Sequence, residues 1–270
     1  KQLIRKIGRT GQGPGDLLGP RLMALGKDGE LYVQEYNNQR ISVFSSEGSY
    51  LKSFRAPIQF HSGFSVTDNN MILCNAPRTG HYITVYNGDG EVLKNVGKID
   101  EEFNNQWNIE YCFGYPFYVD DKFYLFPKYS GSVLIFNQEG VLEEEVELLD
   151  QIPVFRLLNT MVDPQDGSVI GGSMAVFHQW VDYRNDCFFI QAHDATKNSP
   201  FSLHILDKDL KLQKLVNISY PDNDALHNRK FKSEVIQKGL VQLNNKDYSF
   251  FIPGLSSATV VKSNFTGVNE

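Results

Sequence analysis

The side chains of this chain best suited to metal binding, proton transfer or ligand stacking are six histidines, His61, His81, His178, His193, His204 and His227, and two tryptophans, Trp107 and Trp180. The histidines are scattered. No His-Glu-x-x-His helix signature and no Gly-x-Ser-x-Gly elbow occurs, so zinc hydrolysis and serine-nucleophile chemistry have no motif behind them. The glycine-rich stretch Gly8 to Pro20 invites comparison with a phosphate cradle, but Pro14 and Pro20 bracket no helical pattern that could present a helix N-terminus to an anion. A connection between strands is the better reading. Asn87-Gly88-Asp89-Gly90-Glu91 and Asp163-Pro164-Gln165-Asp166-Gly167 look faintly like calcium loops, yet neither is followed by the bidentate carboxylate such a loop needs. Both fit hairpin turns, where Asn-Gly and Asp-Gly supply positive φ. Cys74, Cys112 and Cys187 are too widely spaced for a Cys-x-x-Cys site and read as small apolar residues.

Chemistry so dispersed in sequence needs a fold to gather it. Aromatic residues make up 13% of the chain, weighted to Phe and Tyr, which favours pleated, half-buried surfaces. The formal charge of −6 and the absence of a Lys/Arg cluster exclude a nucleic-acid backbone as the main partner. The run Glu143-Glu144-Glu145 reads as one solvated strand face. No stretch reaches the roughly 18 apolar residues of a membrane span.

From Gly11 to Phe54 the sequence divides into four strand-sized pieces: Arg21 to Leu25, Leu31 to Tyr36, Arg40 to Ser45 and Tyr50 to Phe54. The breaks between them carry Asp-Gly, Asn-Asn and Glu-Gly turn chemistry. The pattern recurs after His61 and again after Phe113. Aligning the last two strands of each unit gives RISVFSSEGSYL, YITVYNGDGEVL, SVLIFNQEGVLE and SLHILDKDLKLQ. A unit of about 40 to 50 residues with four strands is a propeller blade.

On Gly11-Gln12-Gly13-Pro14-Gly15-Asp16-Leu17, Asp28-Gly29-Glu30-Leu31-Tyr32-Val33, Asn38-Gln39-Arg40-Ile41-Ser42-Val43-Phe44 and the closing Gly48, the chain resembles the NHL-repeat propellers. It is more closely similar to the six-bladed TolB-like propellers common among exported, often lipid-anchored proteins of Bacteroidetes. Blade two carries Thr79-Gly80-His81-Tyr82 where blade one carries Asn-Gln-Arg-Ile, so only the architecture transfers. The expected fold is therefore a single all-β domain over residues 1–270, a β-propeller of four-stranded antiparallel blades, six with five as the alternative. The resemblance also implies an exported protein, periplasmic or on the cell surface, with a targeting segment or lipid anchor upstream.

Two further expectations concern connectivity. The fourth repeat begins near Leu157, and its third strand does not arrive until Phe201; the segment Phe177 to Pro200 is either a long loop holding one strand at Cys187 to Ala192 or part of an extra blade. The chain ends in three strands lacking a fourth and begins with a lone strand. Pairing Leu3 to Ile7 with Ala258 to Ser263 would close the ring.

In a propeller, the loops before each first strand and those between second and third strands share one face, around the mouth of the central channel. That sorting selects His61, Arg78, His81, Trp107, Tyr111, Tyr129, Arg156, His178, Trp180 and Arg184 as candidate ligand-binding residues, with Lys128 and Tyr183 on the same face. Aromatic bodies beside Arg suit a sugar, peptide or acidic group. The expected function is non-catalytic binding of a carbohydrate, peptide or protein at this mouth, by a monomer without a cofactor. The competing class is a metal-dependent lyase or lactonase, which would need His and carboxylate groups to converge in the channel.

Overall fold

The computed structural model describes residues 6–59, 62–100, 108–148, 180–193, 201–218, 240–244, 247–252 and 259–263. It contains four four-stranded antiparallel sheets in a propeller arrangement and one three-stranded sheet. Blade 1 is β1 (Pro20–Leu25), β2 (Leu31–Glu35), β3 (Arg40–Phe44) and β4 (Tyr50–Arg55). Blade 2 is β5 (Phe64–Val66), β6 (Ile72–Asn75), β7 (His81–Tyr86) and β8 (Val92–Lys98); blade 3 is β9 (Gly114–Val119), β10 (Lys122–Pro127), β11 (Ser132–Phe136) and β12 (Leu142–Glu147). Blade 4 is β13 (Trp180–Arg184), β14 (Cys187–His193), β15 (Phe201–Asp207) and β16 (Leu212–Ile218), and β17 (Leu240–Asn244), β18 (Asp247–Ile252) and β19 (Thr259–Ser263) form the last sheet. The chain divides into two compact units, residues 1–128 with 132–146 and residues 129–131 with 147–270. The first holds blades 1 to 3, the second blade 4 and the three-stranded sheet.

The middle strands are apolar on both faces because blades stack on both. Between blades 1 and 2, Tyr32, Ile41 and Val43 pack with Phe64, Ile72, Cys74 and Tyr86; between blades 2 and 3, Leu73, Ile83, Val85 and Val96 pack with Phe123, Leu125, Leu134 and Phe136. Outer strands differ: β12 presents its glutamates to solvent, as expected of Glu143 to Glu145.

One device repeats at the turn between third and fourth strands. Ser45, Asn87, Asn137 and Asp207 each accept, through a side-chain oxygen, the backbone N–H four residues on. The residue before that N–H takes positive φ: Gly48, Gly90 and Gly140 near +85°, and Leu210 at +60°. The first three use the residue with no Cβ penalty. Blade 4 instead holds a buried leucine in the left-handed region, trading strain for apolar burial. The Asn87 turn is thus a backbone-bonding loop, not a calcium loop.

Gly8 to Pro20 is held by the reverse of a phosphate cradle. Its carbonyls point at a cation: the Arg40 guanidinium donates to the oxygens of Gln12 at 2.9 Å, Gly13 at 3.1 Å and Asp16 at 2.8 Å. Its amides are taken by acids, Gly13 N–H by Asp16 at 3.2 Å and Leu18 N–H by Glu35 at 2.8 Å. Glu35 is completely buried and accepts from Arg40 Nε at 2.8 Å, Asn38 Nδ2 at 2.6 Å and the Ser42 hydroxyl. Burial pushes the Glu35 carboxyl up, but Arg40, Ser42, Leu18 and Asn38 outweigh it and hold its pKa below the ordinary value. Gln39, at φ +50°, donates to Ile58 O and accepts from Ile58 N–H, fastening the strand-to-strand connection that leads into blade 2.

The fourth-repeat expectation is corrected. The strand expected at Cys187 to Ala192 is present as β14, but residues 180–193 form the first hairpin of blade 4, whose third strand is Phe201–Asp207, and not a long loop. Blade 4 repeats blade 3 closely. Tyr118 bonds Asp121 at 3.0 Å and Tyr183 bonds Asp186 at 3.3 Å, each beside a phenylalanine ring, Phe123 and Phe188, and each at a turn of two positive-φ residues. The start at Leu157 lies outside the described residues, as do residues 1–5 of the expected closing strand. β19 coincides with the other half of that pairing.

Breaking the Glu35–Arg40 pair should be costly, because either partner alone is left buried and charged. Arg40→Met is expected to reduce stability by about 3–5 kcal/mol in urea unfolding, with the loss greatest above the carboxylate range. Glu35 titrates lower in the folded state, so its contribution is present above its unfolded pKa and falls away as pH drops through the folded one. An Arg40→Met protein that unfolds at the parental urea concentration would show that the clamp is dispensable.

Candidate functional site

Blades 1 and 3 of the first unit bring four side chains to the same end of their first two strands. Arg21 lies in β1 where the register with β2 slips between Pro20 and Leu22, and a slip of this kind re-aims the extra side chain. Its guanidinium lies over the Tyr36 ring, 5.8 Å from the centroid. Tyr115 is the second residue of β9, and the Lys128 ammonium, just past β10, lies over its ring at 5.3 Å. Tyr115 also acts on Arg21, and Arg21 on Lys128, across the short inner strand β5 of blade 2.

Glycines and one buried amide make this approach possible. A side chain on Gly63 would run into the Gly114 carbonyl and the Tyr115 backbone, so the two connections can touch only without it. Gly63 N–H donates to Gly114 O at 2.9 Å, and Asn75 N–H donates to Gly63 O at 3.0 Å. The Asn75 amide, fully buried at the end of β6, donates to Cys112 O at 3.0 Å and accepts from Gly114 N–H at 2.9 Å. Tyr115 is thereby fixed by its own backbone.

The cations Arg21 and Lys128 are both half-buried. Burial, and then the like charge of Arg21, push the half-buried Lys128 ammonium down to about 8. Burial lowers Arg21 as well, against the aromatic hydroxyls of Tyr115 and Tyr36. Among the described residues no carboxylate pairs with Lys128. The other cations of the described ion pairs, Arg9, Arg40, Lys52, Lys122 and Arg184, each have an acid within 3 Å.

Of the residues expected on this face, Arg78, His81 and Tyr111 gather at the loop-rich end of blade 2 and the connection into blade 3. Arg78 sits in the 3-10 turn Pro77–Thr79 and Tyr111 in Asn108–Cys112, two turns that pack on each other, while His81 opens β7. Arg78 is exposed and Tyr111 is 52% exposed. Tyr129 belongs to the second unit. His61, Trp107, Arg156 and His178 lie outside the described residues.

Blade 4 separates the remaining two. Trp180 pairs with Gln191 as Tyr115 pairs with Phe126, so Trp180 occupies the Tyr115 position of its blade and His193 the Lys128 position. Arg184 is at the opposite end of β13, beside the two-residue hairpin turn, 2.6 Å from Asp182. Tyr183 shares that end, where it caps the turn. Burial raises the Asp182 carboxyl, with Arg184 opposing. Sorting by loop misplaced Arg184 and Tyr183 because the segment is a strand hairpin. Sequence reasoning reached Lys128 but missed Arg21, Tyr36 and Tyr115, which stand inside or beside strands and not in loops. Among the described residues no three His, Cys, Asp or Glu side chains come together as a metal site. No described helix is long and apolar enough to cross a membrane.

No protein-family model matches the chain, and no curated protein matches it. Solved structures are similar in fold. A Bacteroides fragilis protein described as exported superposes with a TM-score of 0.50 at 11% identity, covering 92% of this chain and 70% of that one. Virginiamycin B lyase from Staphylococcus aureus, solved with quinupristin, gives 0.47 at 12% identity over 95% of this chain and 69% of its own. Myxococcus xanthus glutaminyl cyclase gives 0.48 at 10% identity over 86% and 85%. The described blades and the first of these likenesses make the chain an all-β protein of four-stranded antiparallel blades in a propeller arrangement.

Proposed function

We propose that this protein is a ligand- or partner-binding propeller without catalytic activity, engaging a carbohydrate, peptide or protein at the loop-rich mouth of its central channel. The observation that carries this reading is the meeting of Arg21, Tyr36, Tyr115 and Lys128 at the loop-rich ends of inner strands. Aromatic faces beside cations, held by a backbone that leaves no room for adjustment, are a binding surface set before any ligand arrives. Trp180 and His193 repeat the same two positions in blade 4. We further propose a single propeller domain of six blades, of the NHL- or TolB-like kind, exported from the cell. The count of six draws on residues 149–179 and 219–239 beyond the sheets described. Export is supported by the exported description of the B. fragilis protein sharing the fold.

Two measurements test the site. Competitive amine labelling followed by mass spectrometry should find Lys128 half-reactive near pH 8, where ordinary lysines, with pKa about 10.4, are still protonated. Arg21→Ala should move that midpoint upward, because removing a like charge favours the ammonium. A Lys128 that titrates with the bulk lysines would remove the desolvated cation from the argument. Separately, the protein should bind a member of a glycan and peptide panel, and Trp180→Ala should weaken that binding at least about tenfold while leaving the fold intact, since truncating an aromatic hot-spot residue costs about 2 kcal/mol or more. Undiminished binding by that variant would return Trp180 to packing alone.

A further inference from the structure

We propose that Glu30 and Asn70 hold a hard divalent cation, calcium by preference, between the hairpin turns of blades 1 and 2, at the end of the blades opposite the mouth. The two residues close equivalent turns: Glu30 immediately precedes β2, and Asn70 stands two residues before β6. Each buries one side-chain oxygen, Glu30 Oε2 and Asn70 Oδ1, and among the described residues neither oxygen has a hydrogen-bond partner. Gly26 brings them together. A Cβ on that residue would lie 2.9 Å from Glu30 Oε2 and 3.6 Å from Asn70 Oδ1, with the edge of the Tyr32 ring at 3.0 Å. Both oxygens thus border the space that a side chain at position 26 would fill.

A buried acceptor without a donor costs free energy, and a carboxylate oxygen costs more because it carries charge. The donors nearby are already engaged. Gly26 N–H donates to Glu30 O at 2.8 Å and Gly29 N–H to Gly26 O at 3.1 Å. The Thr67 hydroxyl donates to the Asn69 amide oxygen and accepts from Met71 N–H at 3.0 Å. Lys52, whose ammonium approaches Gly88 beside the Asn70 carbonyl, is 2.8 Å from Asp89.

A carboxylate and an amide carbonyl are both hard oxygen ligands, the kind that calcium and magnesium select. Calcium fits better, because it accepts irregular geometry and completes its shell with water, whereas magnesium demands a near-ideal octahedron. With one charge and two protein oxygens, the site belongs at the weak end of calcium affinities, about 10⁻⁴ to 10⁻³ M. Glu30 and Asn70 are each partly exposed, so the ion enters from solvent without opening a blade. Asn70 holds φ +60°, a left-handed conformation that asparagine tolerates and that fixes where its side chain leaves the turn. The ion joins the two blades where their shared apolar core, Tyr32, Ile72 and Tyr86, gives way to turns. It is independent of any ligand at the mouth.

The test uses the whole protein, stripped with EDTA and returned to calcium chloride, magnesium chloride or sodium chloride at matched ionic strength. Calcium at about ten times its dissociation constant should raise the melting temperature by about 2–4 °C over sodium, and magnesium by less. Glu30→Gln should abolish the calcium shift. In EDTA this variant should melt no lower than the parent, because a glutamine amide can donate to Asn70 Oδ1 where the carboxylate cannot. Asn70→Gly keeps the left-handed turn and removes the second oxygen, so the calcium needed for half the shift should rise about tenfold or more.

A parent protein that melts alike in all three salts overturns the proposal; Asn70 then turns its amino group toward Glu30, and the two satisfy each other. A calcium shift that persists unchanged in Glu30→Gln and Asn70→Gly overturns it too, since the ion is then bound elsewhere. So does a Glu30→Gln variant that melts several degrees below the parent in EDTA, which would reveal a donor for the carboxylate within the chain itself.

Discussion

The Glu35–Arg40 ion pair is the contact on which the leading end of the molecule depends. A buried carboxylate and a nearly buried guanidinium are expensive apart, and a stable arrangement must fill the remaining hydrogen-bonding capacity of both. Glu35 does this with Ser42, Asn38 and the Leu18 amide, Arg40 with three carbonyls of the glycine-rich connection, those of Gln12, Gly13 and Asp16. The connection has no apolar core of its own; it is shaped by the donors and acceptors that the pair leaves over. Its last residues deliver Pro20 and Arg21 to the start of β1. The cation at the proposed site is thus positioned by a different cation 19 residues further along the chain, and rigidity at one is the condition for charge at the other.

Blade 2 meets the same requirement with other chemistry. The last residue of its second strand is Asn75, which serves the connection into blade 3 with a neutral amide and no ion pair. A single amide supplies a few donors and acceptors in fixed directions, here to Tyr82 O and Cys112 O and from the Gly114 N–H, and it works at close range because Gly63 and Gly114 let the backbones touch. A charged pair can organise a long connection, as in blade 1, whereas an amide can organise only a close one. The difference explains why the Asn-Gln-Arg signature of blade 1 does not recur although the architecture does.

How much of this was legible follows from the same contrast. Strand alternation and the Ser45, Asn87, Asn137 and Asp207 turns are local, so the strands of blade 1 could be read to within a residue of their ends and the recurrence of the unit in blades 2 and 3 could be seen. Blade 4 was misread because its first hairpin, Trp180 to His193, is bright with polar and aromatic residues and resembles a functional loop. The matching Tyr–Asp turn pairs of blades 3 and 4, Tyr118 with Asp121 and Tyr183 with Asp186, would have revealed it. The site was legible only at Lys128. Arg21 looked like an ordinary first-strand residue, and nothing in a linear pattern says that a register slip aims it toward a lysine 107 positions away.

The Lys128 ammonium is also a clue to what has been favoured at this position. A lysine whose folded pKa is lowered from 10.5 to about 8 binds its proton less well in the folded state than in the unfolded one. Between those values the folded protein holds fewer protons, so stability rises with pH across that window, and below about pH 8 the charge opposes folding in full. Apolar residues of similar length fit a half-buried position beside a tyrosine ring without that penalty. A sequence shaped by stability alone has no reason to place the ammonium there, next to a second cation already constrained by blade 1.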